Sequence, residues 1–165
     1  MKVEKEYVYI AAAGLSMMAI MATFLILRKR KKSPEIDLSV FDSPDAPGSG
    51  RCIDRKLVRM LQQLERTTRY PVFKRINSGV RTSSHNSKVG GVYNSSHKIP
   101  VCNAVDISTP SRAIQRKLVE AARKIGFKRI GIGSTFIHLD IDGTKSQYVA
   151  WGYPSGTRPP FNPFA

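Results

Sequence analysis

Apolar and polar positions follow three different patterns along the chain, and each predicts a different element. From Tyr7 to Leu27 the run YVYIAAAGLSMMAIMATFLIL carries no charged residue. A single helix needs about 20 such residues to cross a bilayer. The basic cluster RKRKK, Arg28 to Lys32, follows at once. A cleaved leader would carry its positive charge ahead of the apolar run, so this order predicts an uncleaved anchor over residues 1–32. The preceding MKVEKE is balanced in charge, which predicts that the Arg28 side stays in the cytoplasm or its equivalent.

Residues 33–50, SPEIDLSVFDSPDAPGSG, follow neither a helical nor an alternating pattern and read as an extended tether. The folded domain is expected over residues 51–165. Within CIDRKLVRMLQQLERTTRY, the residues Ile53, Leu57, Met60, Leu61 and Leu64 recur at helical spacing with Arg and Gln opposite, which predicts an amphipathic helix. A second helix is predicted over Arg112–Ile125, with Ser111 as N-cap and Gly126 as terminator. Its apolar face would be Ile114, Leu118, Ala121, Ala122 and Ile125. Short β-rich runs surround the two: VFKRINS, NAVDIS, KRIGIG and TFIHLDID. The order predicts an α+β fold, a small antiparallel sheet with flanking helices, preceded by one transmembrane helix. The ending SGTRPPFNPFA reads as an extended tail.

Charge narrows the partners. The formal net charge is +15, and residues 51–165 hold 20 Lys and Arg against 6 Asp and Glu. That balance favours a polyanion: nucleic acid, an anionic membrane or an acidic wall polymer. Nucleic acid is disfavoured, because basic and aromatic residues are not interleaved and no helix-turn-helix is recognisable. Cys52 and Cys102 are too few and too irregularly placed for a disulfide framework or a CxxC zinc site, and are read as two ordinary thiols. Nothing in the sequence bears on oligomeric state.

The chain has three histidines, and His97 and His138 sit at the edges of predicted strands near aspartates. A catalytic zinc takes three protein ligands and keeps a fourth position open, and His97, Asp106 and His138 can supply the three. Asp106 lies in NAVDIS beside residues that face the core, so its carboxylate needs a metal or an ion pair. The residues alone leave both readings open: a zinc ligand, or a carboxylate bridged to one of the many arginines. His85, in the polar TSSHNSK, reads as a solvated loop residue, and Cys102 as a small buried hydrophobe. Trp151 and Tyr153 either line a groove or plug the core, the latter being the commoner use of such a pair.

The motifs, taken together, resemble a known family. Ser78-Gly79-Val80-Arg81, Asn86, Val89-Gly90-Gly91, Ser95-Ser96-His97, Asn103-Ala104-Val105-Asp106 and Phe136-Ile137-His138-Leu139-Asp140 follow, in order, the signature of the zinc D-alanyl-D-alanine carboxypeptidases. These are metallopeptidase family fifteen, subfamily A, and the likeness is greatest to its small phage-type and cell-wall endopeptidase members. The resemblance covers residues 53–153. It implies that His97, Asp106 and His138 bind zinc and that Arg81 and Ser95 contact the substrate's carboxylate or carbonyl oxygen.

Three positions depart from the family pattern. The interval from His97 to Asp106 is longer by two residues, placed at IPVC, and Asn103 replaces a glycine. Thr135 stands where several relatives carry the acid that activates water. Asp140 remains as the catalytic candidate, either taking the proton or orienting His138 from the same strand face. The resemblance implies a zinc metallopeptidase that hydrolyses peptide bonds in peptidoglycan. The apolar run and its basic flank add a membrane anchor with the domain on the interior side, which a virion or phage membrane, or release of the domain at lysis, would reconcile with a wall substrate. The alternative is a non-catalytic zinc module that binds wall peptides or a partner protein.

Overall fold

The computed structural model describes residues 35–154 and 156–165. The expected membrane-spanning helix lies outside the described residues, among which no helix is long and apolar enough to cross a membrane. Residues Asp37–Ala165 form one compact unit.

Both long helices form where the apolar spacing places them. In α1, Arg55–Thr68, the Asp54 carboxylate caps the first turn by accepting from Lys56 N at 2.6 Å. Leu57, Val58, Leu61 and Leu64 make its buried stripe. A six-residue helix α2, Ser83–Lys88, follows β1, and the longer α3 spans Arg112–Ile125. In α3 the Ser111 hydroxyl accepts from Ile114 N, and the helix ends at Gly126, whose φ of 111° suits a residue without Cβ. α1 packs on α3, and α3 on the sheet.

The sheet contains β1 (Ile76–Ser78), β2 (Ala104–Ser108), β3 (Arg129–Ile132), β4 (Phe136–Asp140) and β5 (Val149–Gly152), in the order β1-β2-β4-β3-β5. Four strands pair antiparallel, but β5 joins β3 in parallel, so the sheet is mixed at one edge. The period of two then sorts the side chains. Val105, Ile107, Ile130, Ile132, Ile137 and Leu139 fall on one face and are buried. Asp106, Arg129, Gly131, His138, Asp140 and Trp151 fall on the other, in register across β2, β4, β3 and β5.

Three expectations need correction. Residues 37–50 are not a tether: they form tight turns, including 3-10 turns at Leu38–Phe41 and Ser49–Cys52, and Phe41 is wholly buried. The Asp42 carboxylate accepts from Gly48 N and Gly50 N, and Phe41 O accepts from Val80 N at 2.7 Å. Such turns rest on local side-chain–backbone bonds and one aromatic anchor, so they carry no periodicity. TSSHNSK, read as loop, contains α2, capped by Thr82. Cys52 and Cys102 are not free thiols but a disulfide, with Cα atoms 5.7 Å apart. The turn before α1 meets the loop before β2, where Asp54 N donates to Cys102 O at 2.9 Å, a proximity that no local pattern reveals.

Candidate metal centre

Strand register makes half of the site. Asp106 on β2 and His138 on β4 are direct cross-strand partners and share a face. Gly131 lies opposite His138 on the other side, and a Cβ there would come within 2.8 Å of the Tyr153 ring and 3.0 Å of the His138 and Trp151 side chains. The missing side chain keeps this floor open. His97 arrives from the loop ahead of β2, stitched to the strand-like Arg81 by Arg81 N donating to His97 O at 2.9 Å and Ile99 N to Arg81 O at 3.1 Å.

The SGVR segment positions both partners. Ser78 Oγ accepts from Arg81 Nε at 2.8 Å, and Arg81 Nη2 donates to Asp106 Oδ2 at 2.6 Å. Gly79 O lies 2.6 Å from His97 Nδ1. A carbonyl only accepts, so Nδ1 carries the proton and Nε2 presents a lone pair. On His138, Nε2 donates to Asp140 Oδ2 at 3.1 Å, which turns Nδ1 inward. His138 Nδ1 is then 2.8 Å from Asp106 Oδ1 and 3.1 Å from His97 Nε2, and His97 Nε2 is 3.3 Å from Asp106 Oδ1.

Two imidazole nitrogens and one carboxylate oxygen thus aim lone pairs at a common point, all within 4.8 Å of one another and all buried. Only a cation reconciles them, a proton or a metal. Burial by itself would lower the His138 pKa, but hydrogen bonds to Asp106 and Asp140 outweigh it and raise it to about 9. Burial likewise would raise Asp106, yet its pairing with the imidazoles of His97 and His138 holds it far below the ordinary carboxylate range. At His97 burial prevails and the pKa is lowered, favouring the neutral ring that a metal requires. The donor set fits zinc.

Asp140 does not face this point. It meets the outer nitrogen of His138, and its other oxygen accepts from Arg129 Nε at 2.8 Å and Asp142 N at 3.0 Å. From there it steadies the ring of His138. Ser95 is buried and its Oγ accepts from His97 N at 3.3 Å, so it shapes the ligand loop while lining the cleft. Thr135 is exposed in the hairpin turn before β4. His85 stands apart from the cluster, on α2. The extra residues at IPVC turn outward, with Ile99 and Val101 exposed, and leave both ligands in place.

A cleft of about 620 Å³ opens over the cluster, and Trp151 and Tyr153 line it. The core-plug reading of these aromatics is therefore corrected: the Trp151 ring centroid lies 5.4 Å from that of His138, and Tyr153 packs on Phe136 at 4.7 Å. Burial, then the charge of Asp106, raises the Tyr153 pKa, so its hydroxyl stays protonated. Arg129, missed in the sequence, lies over Trp151 as well as on Asp140. Its alternation with Gly131 in KRIGIG was the available signal.

A model of the family Peptidase M15 matches residues 33–140, which include the three cluster residues, Arg81, Ser95 and Asp140. The chain belongs to the peptidase M15 family. No curated protein matches it. Peptidase M15 enzymes are zinc-dependent, and the His97–Asp106–His138 cluster is where this member can hold the ion. The match begins at residue 33, in keeping with the packing of residues 37–50 into the compact unit.

Proposed function

We propose that this chain is a membrane-anchored zinc peptidase that hydrolyses peptide bonds of peptidoglycan. The observation that carries the reading is the convergence of three lone pairs, from His97, Asp106 and His138, on the floor of an open cleft. When bound, zinc supplies Lewis acidity toward water and the scissile carbonyl. The chain's own residues do the rest. Arg81 holds Asp106 by its outer oxygen, leaving the inner one for the metal, and brings positive charge to the cleft where the carbonyl oxygen gains negative charge. The Tyr153 hydroxyl, kept protonated, belongs to a side chain that lines the same cleft. Asp140, itself held by Arg129, fixes the ring of His138.

The anchor is residues 7–27, and its basic flank points the domain inward, whereas a disulfide persists on an oxidising side. A domain kept inside a phage particle's membrane until that particle meets a host wall satisfies both. Protease treatment of intact particles should then leave the domain whole.

A second reading has its own observation. Asp106 and Asp140 are the only carboxylates of the cleft among the described residues, both are held in ion pairs, and Thr135 offers none. This favours a module that keeps zinc and binds wall peptides without cutting them. Digestion of purified peptidoglycan, with products read by mass spectrometry, separates the two. The peptidase reading expects soluble fragments from the wild type and none from His138→Ala; no fragments from either would leave the binding module.

A further inference from the structure

The metal cleft continues past His97. A second cleft of about 340 Å³ shares Asn94, Ser95 and Lys145 with it. Its outer wall is Ile99, Pro100 and Val101, in the outward-turned IPVC stretch. This wall is fixed at both ends. Ile99 N donates to Arg81 O, Cys102 N donates to Lys98 O at 3.0 Å, and Cys102 is joined to Cys52. Yet the side chains between those ties are free: Ile99 and Val101 are 43% and 45% exposed, unusual for branched apolar residues held on so rigid a frame.

The charges of this cleft are unequal. Lys145 has its ammonium on Asn94 O at 2.6 Å and Ser96 Oγ at 2.8 Å, 3.4 Å from Asp142. Asp142 is occupied too, accepting from Ser96 Oγ, Thr144 N and Thr144 Oγ1. Lys98 differs. Its ammonium donates to Tyr93 O at 2.9 Å and lies 4.7 Å from the Tyr93 ring, and it has no carboxylate partner among the described residues. Two cations against one engaged anion leave the cleft positive, beside an apolar wall and open to the metal site.

We propose that this second cleft is a substrate subsite, which takes the part of an acidic peptide beyond the cleaved bond, its carboxylate on Lys98 and its apolar groups on Ile99 and Val101. The proposal rests on the peptidase reading of the metal cleft. An ion pair in a half-open cleft binds ground state and transition state alike, so it acts on KM and not on kcat. It also gives the enzyme a grip on substrates longer than a dipeptide.

The test uses full-length protein in detergent and soluble fragments of purified peptidoglycan, either native or with their carboxylates converted to amides. On native fragments, Lys98→Gln and Val101→Glu should each raise KM roughly three- to tenfold, with kcat within about twofold and zinc content unchanged. On amidated fragments, the wild type should match Lys98→Gln. Val101→Glu places the opposing charge away from the neighbour of His97, so the two variants together exclude damage to the ligand loop. Equal KM values for wild type and both variants on native fragments would overturn the subsite while leaving the peptidase reading intact. If the wild type cuts nothing, the peptidase reading fails instead, and binding of fluorescently labelled native fragments decides: weaker binding by Lys98→Gln retains the subsite, equal binding removes it.

Discussion

His138 and Leu139 are neighbours on β4, yet they belong to opposite faces of one sheet and do unrelated work. Leu139 is fully buried among Ile107, Ile130 and Ile137 in the apolar layer that receives α3. His138 is almost as buried, but every polar atom of its ring is assigned to a partner. The apolar face needs only volume and hydrophobicity, which several side chains can supply. The polar face needs particular atoms at particular distances, because a buried lone pair without a partner is costly. One sheet thus carries a tolerant face and an exacting face, interleaved residue by residue.

Substitution of these two neighbours is the strongest way to separate the faces. His138→Ala should abolish zinc binding and lower turnover by on the order of 10²–10³-fold or more. It should leave the metal-free fold standing, since Asp106 keeps Arg81 and Asp140 keeps Arg129. Leu139→Ala should do the reverse, costing about 2–5 kcal/mol in denaturant unfolding while the folded fraction still binds zinc. Similar losses of stability in both would erase the contrast.

The disulfide sharpens the comparison, because it ties the helix layer to the loop that carries His97. Closing a loop across a sequence separation of 50 is worth up to about 4 kcal/mol by chain entropy, and Cys52→Ser is expected to cost roughly 2–4 kcal/mol. Phosphine reduction of the wild type should reproduce the shift in denaturation midpoint. Asp140→Asn is subtler. It removes the charge behind His138 but keeps the shape, and zinc affinity in a chelator competition should fall about 10- to 100-fold.

The smallest effect is a dependence on pH. Asp142, buried beneath the ligand loop, would be raised by burial, but bonds from Thr144 and Ser96 lower it from 3.8 to about 2. A depressed carboxyl stabilises the fold above its unfolded pKa and loses that contribution as pH falls, here from about 4 to about 2. Across that window the metal-free wild type should lose on the order of 1 kcal/mol more stability than Asp142→Asn.

Both long helices and four strands were legible because each repeats a period over enough residues to betray its buried face. The three residues of the cluster, His97, Asp106 and His138, were legible as residue types in a familiar order. The turns at residues 37–50 and the short α2 were not, since they rest on single hydrogen bonds such as those of Asp42 and Thr82. Arg129 was missed for a related reason: an arginine at the start of a strand is ordinary until Asp140 and Trp151 are seen beside it. The pairing of Cys52 with Cys102 was missed because the contact joins residues that nothing local relates.

By itself, then, the sequence determined the alternation on β2 and β4, and with it which side chains are buried in oil and which face the cleft. It also determined the chemistry on offer, two histidines and an aspartate with an arginine for company. Only the tertiary structure decided how these meet: which nitrogen of each ring turns inward, that Asp140 stands behind His138 and not before it, and that IPVC becomes a wall. The period of a strand is a local property of the backbone, whereas a lone pair's direction is set by its partners, and those arrive from distant parts of the chain.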